Sequence, residues 1–373
     1  MSDATISRST YLTKHTGEYA DTVEILGRTF EKVDDLRYGT NPHQTAAYYR
    51  PADTAAPIGE MKVLKTGKSG LSQTNLEDLS YALNICKYFD VPACVCMKHV
   101  NPSGAAAAVD GDTVKDVYIK ARDCDPRAAF GSTIGFNGEI NAETAAEIMS
   151  SFVECVVAPA FTDAALNVFN DHEAYKLNRH IRILKCGNPA SLPRYVGDNA
   201  AVAATIKVLA DGSLVIADPL LTNLRGVDDL QTATAESKKF GNVESTVIAT
   251  ARQRTDLLTA WYINLNVRSN GVVIVNNGQS LAVGTGEQDR VGAVEQAVWK
   301  FANKYAGSES IAGAVMASDG FFPFPDAVEV AAKSGVTAII SPAGSIKDAE
   351  VVSRANDLGV ALFHAPERIF SHH

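Results

Sequence analysis

The sequence predicts an α/β protein built from two similar halves, on three observations. Short apolar runs of strand length alternate with segments whose apolar residues recur at helical spacing, the pattern of strands joined by covering helices. Polar loops rich in Gly, Pro, Asn and Asp close those runs in both halves. The 373 residues, 46% hydrophobic and 21% charged, exceed what one core usually holds. Two domains are therefore expected, over 36–190 and 191–373, after an N-terminal arm over 1–35.

The arm is polar and mixed, with one strand near 29–33. Leu36-Arg37-Tyr38-Gly39-Thr40-Asn41-Pro42-His43-Gln44 reads as a turn rich in side-chain donors, followed by a short strand over 46–50. A basic, glycine-punctuated loop over 65–70 leads to a helix that Asn75 is placed to cap. Glu77 and Asp78 then fall in its first turn, where acidic groups suit the helix dipole, and Leu79, Leu83 and Cys86 form its apolar face. The apolar run 91–97 reads as a buried strand that ends at Lys98 and His99. Asn101-Pro102 breaks it, because proline offers no ladder donor, and Ser103-Gly104 with the alanines to Ala108 predicts a helix. Lys98 and His99 would then face the crevice at the carboxyl end of a strand, beside a helix N-terminus with free N–H groups for an anion. A buried strand ending in a surface Lys-His pair accounts for the spacing equally well.

Helices over 114–121, 142–150 and 164–170 alternate with strands over 133–136, 153–158 and 181–186. Residues 187–230 read as a connector with a hairpin, and 246–268 as a helical insert whose Leu257, Leu258, Trp261, Tyr262 and Leu265 share one face. Core packing is the default explanation of such a stripe. The second half repeats this alternation. Strands over 272–275 and 281–283 flank Gly278, and a helix over 291–305 follows. Then come a strand over 312–318, a helix over 327–334, a strand over 338–340, a helix over 347–358 and a strand over 361–363. The pattern suggests an internal duplication, though no residue-level repeat accompanies it.

A net charge of −9 suits neither non-specific nucleic-acid binding nor an anionic membrane surface. The six cysteines form no paired CxxC motifs, so no structural zinc is expected. No run reaches the ~20 apolar residues of a membrane span, and the polar Met1-Ser2-Asp3-Ala4 start lacks the apolar core of a leader. A reduced, cytoplasmic protein is expected.

Four of the loops carry chemistry. Arg37-Tyr38 offers a cationic fork and a phenol, suited to a phosphate monoester. Lys98-His99 offers a cationic donor and an imidazole able to take a proton. Asn270 and Arg290 flank the second-half hairpin. Phe321-Phe322-Pro323-Phe324 lies between Asp319 and Asp326. Clustered aromatics are usually core, but the interleaved prolines and the polar loop favour a slot for a flat ring. Gly284-Thr285-Gly286 is no Walker loop, since no Gly-Lys-Ser/Thr follows.

Taken in order, Leu36-Arg37-Tyr38-Gly39 with Asn41-Pro42-His43-Gln44, Lys98-His99-Val100-Asn101-Pro102, Ala129-Phe130-Gly131, Ala158-Pro159, Ser269-Asn270, Gly284 and Gly286 with Arg290-Val291, Ser318-Asp319 with Phe321-Phe322-Pro323-Phe324, Ser341-Pro342-Ala343-Gly344-Ser345 and Arg368-Ile369-Phe370 form a specific series. The chain resembles the formyltransferases of aminoimidazole carboxamide ribonucleotide (AICAR), the transformylase part of a bifunctional purine-biosynthesis family. The resemblance implies two tandem cytidine-deaminase-like α/β/α domains without zinc, and no Pro-Cys-x-x-Cys follows an His-x-Glu here. It implies transfer of a formyl group from 10-formyltetrahydrofolate to the 5-amino group of AICAR, by a homodimer with shared sites. Carried over residue by residue, Arg37, Tyr38, Asn75, His99, Gly131, Glu154, Asn270, Arg290 and Arg368 contact the nucleotide. Val291, Phe321, Asp326, Ser345 and Ile346 lie at the folate. His99 would take the amine proton, directly or through the neighbouring carboxamide, and Lys98 would stabilise the oxyanion of the tetrahedral intermediate and help protonate the departing N10. No catalytic metal is implied, and a structural monovalent cation is compatible with the family. Only about 35 residues precede Arg37, so inosinate (IMP) cyclohydrolase activity is not expected. The other readings are a non-catalytic purine-nucleotide sensor, which would have no use for both Lys98 and His99, and a formyltransferase using formate and ATP, which lacks a triphosphate loop.

Overall fold

The structure, a computed structural model, describes residues 10–200, 204–304 and 310–373. A mixed sheet of twelve strands runs through it. In chain order the strands are β1 (Lys62–Lys65), β2 (Ala93–Lys98), β3 (Asn101–Ala107), β4 (Ser132–Phe136), β5 (Val153–Ala158), β6 (Arg182–Lys185), β7 (Gln231–Thr232), β8 (Val272–Asn276), β9 (Gln279–Gly284), β10 (Val315–Ser318), β11 (Ala338–Pro342) and β12 (Ala361–Ala365). They lie side by side as β7-β12-β11-β10-β8-β9-β3-β2-β4-β5-β6-β1. The longer helices are α1 (Gln73–Cys86), α2 (Val114–Cys124), α3 (Ala142–Met149), α4 (Asp163–Asn170), α5 (Ala251–Asn264), α6 (Arg290–Lys304), α7 (Asp326–Ser334) and α8 (Asp348–Asp357).

The two sides of the sheet match element for element. The chain runs α1-β2-β3-α2-β4-α3-β5-α4-β6 and then α5-β8-β9-α6-β10-α7-β11-α8-β12. Outward from the middle, each side has an antiparallel hairpin, a further antiparallel strand, two parallel neighbours and an antiparallel edge. The sides join at an antiparallel β3–β9 contact with Gln279 opposite Ala106. The duplication absent from the residues is thus present in the topology.

Helices α1 and α5 share one face of the sheet, where Ala82 and Ile85 pack in one core with Leu257, Trp261 and Val273. Tyr88 stacks on Tyr262 there, ring centroids 4.5 Å apart. Residues 256–264 of α5 are all buried, so the apolar stripe is core. In chain order α5 holds the place of α1 and is not inserted. Helices α2, α3 and α4 cover the other face on one side, and α6, α7 and α8 on the other. Capping boxes start α1 at Ser72, α2 at Thr113 and α5 at Thr250. Asn75 is therefore not the cap of α1. It is the third helical residue, and its side chain reaches back to the Ser72 N–H.

The largest departure from expectation is at 103–108, which is not a helix. The alanine run forms β3, the return strand of a hairpin with β2. Tertiary packing overrides the helix preference of alanine. Strand β3 lies in mid-sheet under α2, and a Cβ on Gly104 would come within 2.1 Å of the Ala121 carbonyl oxygen. Only very small side chains let the helix that close. Pro102 is accommodated where the register shifts between Cys96 and Met97. The helix N-terminus expected beside Lys98 and His99 at 103–104 is therefore replaced by strand. The expected end of the 291–305 helix, Tyr305, lies outside the described residues. The expected hairpin in the connector is Thr205–Val208 with Leu214–Ala217. All six cysteines are free and buried. Among the described residues no helix is long and apolar enough to cross a membrane.

Candidate active site

The hairpin turn between β2 and β3 consists of His99 and Val100, with φ of +54° and +61°. Consecutive left-handed residues are what a two-residue hairpin turn of the primed type requires, usually with Asn-Gly. His99 is exposed on this turn. Lys98, half-buried, donates from Nζ to the carbonyl oxygens of Phe130 at 2.8 Å and Gly131 at 3.1 Å. A left-handed β-branched residue costs on the order of 1–3 kcal/mol, and the turn is held from outside. The Val100 N–H donates to Asp78 Oδ1 at 2.7 Å, and the Val100 carbonyl oxygen accepts from His373 Nε2. Asn101 Oδ1 accepts from the Arg268 N–H at 2.9 Å and from Thr285 Oγ1 at 2.8 Å.

Beside the turn lies a buried polar network. Arg37 is 5% exposed. Its Nη2 donates to the Tyr38 hydroxyl at 3.2 Å and to Asn75 Oδ1 at 3.4 Å, while its Nε is buried without a partner. Burial first, and then the neighbouring Arg182 charge, lower the Arg37 pKa. Arg182 is fixed by the Gly70 and Lys68 carbonyl oxygens, at 2.6 and 3.1 Å. Asn75 Nδ2 donates to Glu154 Oε2 at 3.1 Å. Burial pushes the Asp78 carboxyl up to about 7, against the opposing Val100 N–H. An unpartnered guanidinium donor with a second arginine beside it is an arrangement suited to an anion.

A second group forms where the strands of the other half end. Arg290 is buried in an ion pair with Asp319. Its Nη2 donates to Asn270 Oδ1 at 2.7 Å, and its Nε has no partner. Arg368 is exposed and lies over the Phe370 ring at 4.4 Å, with Arg290 at 5.7 Å from the same ring. Asp289, next in sequence to Arg290, accepts from the Gly292 N–H at 2.7 Å and so serves the start of α6. This group meets the turn through Asn101, which holds the Arg268 N–H.

A third group begins one residue beyond Gly320. Phe321, Pro323, Phe324, Gly344, Ser345, Ile346 and Lys347 line an apolar cavity of about 440 Å³. The aromatic cluster splits: Phe322 is 2% exposed and belongs to the core, whereas Phe321 and Phe324 are 37% and 57% exposed and face the cavity. Asp326 does not line it. Its side chain accepts from the Ala327 N–H at 2.8 Å at the start of α7. Val291, half-buried on α6, packs against the core.

Arg37, Tyr38, Asn75, Lys98, Gly131 and Glu154 thus stand together around the His99 turn. Asn270, Arg290 and Arg368 form the adjoining group, and Phe321, Ser345 and Ile346 the slot. Sequence reasoning misses Asp78, Arg182 and His373 as site residues, and names Asp319 only as a flank of the aromatic loop. It gives Asp78 only a dipole role in the first turn of α1, yet Asp78 lies one turn past Asn75 on the same face. For Arg182 and His373 the sequence carries no spacing signal, since their partners are distant in the chain. Among the described residues no cluster of three or more His, Cys, Asp or Glu could hold a metal ion.

Residues 2–300 match the family model described as AICARFT/IMPCHase bienzyme. The chain is 37% identical over 365 residues to the bifunctional purine biosynthesis protein PurH of Acetivibrio thermocellus, aligning 97% of the chain with 63% of that protein. It is 37% identical over 369 residues to PurH of Halalkalibacterium halodurans, again 97% of the chain and 63% of that protein. The chain therefore spans just under two thirds of the length of these curated relatives. Among solved structures, an apo dCMP deaminase from cyanophage S-TIM5 aligns with 31% of this chain and 98% of its own, at 23% identity and a TM-score of 0.22, too low to carry an argument.

Proposed function

The chain belongs to the AICARFT/IMPCHase bienzyme family, and from that premise we propose that it transfers a formyl group from 10-formyltetrahydrofolate to the 5-amino group of AICAR in purine biosynthesis. One observation carries the reading. His99 is exposed on a hairpin turn pinned by Asp78, next to Lys98 and beside a buried arginine with an unpartnered Nε.

Arg37 and Tyr38 bind the nucleotide phosphate, and Asn75 and Glu154 contact the nucleotide. Gly131 contacts the nucleotide beside Lys98, and its carbonyl oxygen accepts from Lys98 Nζ. Asn270, Arg290 and Arg368 complete the nucleotide contacts. The folate ring enters the slot of Phe321, Ser345 and Ile346. The acceptor amine is aromatic and weakly nucleophilic, so its proton must leave as it attacks. His99 takes that proton. The formyl carbonyl becomes an oxyanion, which the Lys98 ammonium stabilises. The carbon–N10 bond then breaks, N10 takes a proton from Lys98, the proton held by His99 makes good that loss, and tetrahydrofolate leaves.

The two matched sides of the sheet are the two cytidine-deaminase-like domains of this reading, with the boundary inside 187–230. The protein acts in the cytoplasm as a homodimer with shared sites. The Lys98-His99 site handles formyl transfer and not ring closure. Incubating the protein with the formylated nucleotide and following inosinate by absorbance tests the latter. Tetrahydrofolate formation with AICAR as acceptor tests the main reading; no AICAR-dependent product with an intact, folded protein would refute it.

A further inference from the structure

The turn that carries His99 has a conformation its own residues disfavour. Both positions are left-handed, a geometry that Gly and Asn adopt readily and a β-branched valine does not. Such a turn persists only where its surroundings impose it. Here both backbone groups of Val100 are engaged by side chains from opposite directions. Its N–H meets Asp78, 6% exposed on α1, and its carbonyl oxygen meets His373.

Each anchor is itself fixed. Asp78 follows Asn75 by three residues, so one rigid helix face presents Asn75 to Arg37 and Glu154 and Asp78 to the turn. The His373 ring lies against Tyr81, also on α1, with centroids 4.4 Å apart. Facing a carbonyl oxygen, Nε2 carries the proton. Nδ1 then accepts from the Ser371 hydroxyl at 2.7 Å. Burial lowers the His373 pKa, which favours this neutral form.

We propose that Asp78 and His373 are positioning residues that clamp Val100 from its two sides and so hold Lys98 and His99 in reacting geometry; the inference rests on the formyl-transfer reading above. Neither side chain touches the reacting atoms. Their effect should therefore fall on kcat and leave nucleotide affinity, which belongs to the Arg37 network, nearly unchanged. Displacement of a reacting group by about 1 Å costs up to ~100-fold in rate.

The test is a kcat and KM series in the tetrahydrofolate assay. Asp78→Ala and His373→Ala should each lower kcat by ~10–100-fold, with the KM for AICAR moving by less than about threefold. Asp78→Asn keeps an acceptor and His373→Gln keeps a donor, so both should recover most of the rate. Val100→Gly, added to Asp78→Ala, supplies a residue that takes the left-handed conformation unaided and should restore part of kcat. His373→Ala removes the other anchor should Asp78→Ala fail to fold. Folded Asp78→Ala or His373→Ala protein with kcat within about twofold of the parent would overturn the clamp, as would an absence of recovery with Val100→Gly. Amide exchange at Val100 gives a readout independent of activity. Faster exchange in Asp78→Ala supports the clamp and unchanged exchange overturns it, even if the parent forms no tetrahydrofolate and the formyl-transfer reading itself falls.

Discussion

Asp78 makes stability depend on pH. Burial raises its carboxyl from an ordinary 3.8 to about 7, so folding takes up a proton at this site between those values. The group's contribution is present in full below the lower value and is lost as pH rises through the higher one. Asp78→Asn cannot titrate, so the parent should lose more melting temperature than the variant as pH rises from below 4 to above 7. Parallel melting curves across that range would disprove the assignment. At the same scale, His99→Ala should cost ~10²–10⁴-fold in turnover as a proton acceptor is removed. Lys98→Ala should cost a comparable factor. The double variant should be little worse than either alone, because both act in one step; multiplied losses would separate their roles.

At the scale of the element, two glycines decide how closely helices approach the middle of the sheet. A Cβ on Gly104 would lie 2.1 Å from the Ala121 carbonyl oxygen on α2, and one on Gly284 equally close to that of Ala293 on α6. The two sides of the sheet use the same device on β3 and β9. Neither glycine has a left-handed φ, so the constraint is space alone. Gly104→Ala and Gly284→Ala should each destabilise by ~1–3 kcal/mol through overpacking, read as a lower urea midpoint with an unchanged slope. A midpoint equal to the parent's would show that the helices yield freely.

At the scale of the whole molecule, the seam between β3 and β9 is slender. It has one registered pair, the Ala107 N–H to the Gly278 carbonyl oxygen at 2.9 Å, and the Ala105 N–H to Ser280 Oγ at 2.8 Å. Ser280 is fully buried, so Ser280→Ala leaves a buried N–H unpaired at a cost of ~1–3 kcal/mol. Denaturant unfolding followed by two probes measures this, and no loss of stability would show that the seam hydrogen bond is dispensable. The proposed homodimer has its own test. Mixing inactive His99→Ala with inactive Phe321→Ala protein should restore activity if one site draws on two chains. An active monomer by light scattering would exclude shared sites.

The alternation of strands and helices, the turn residues and the motif series were legible in the sequence, because each depends on neighbours a few positions away. Periodicity located the apolar face of α1 and the stripe of α5, and the loop chemistry singled out Arg37, Lys98, His99 and Phe321 as candidates. What tertiary structure alone decided lies at long separation. Alanines 105–108 have a local preference for helix, yet β3 forms because its place in mid-sheet leaves no room for larger side chains under α2. The single sheet shared by both halves depends on the pairing of β3 with β9, where Ala106 lies opposite Gln279. The turn that presents His99 depends on Asp78 and His373, residues whose separation along the chain carries no spacing signal and whose effect appears only once packing has brought them to the same backbone.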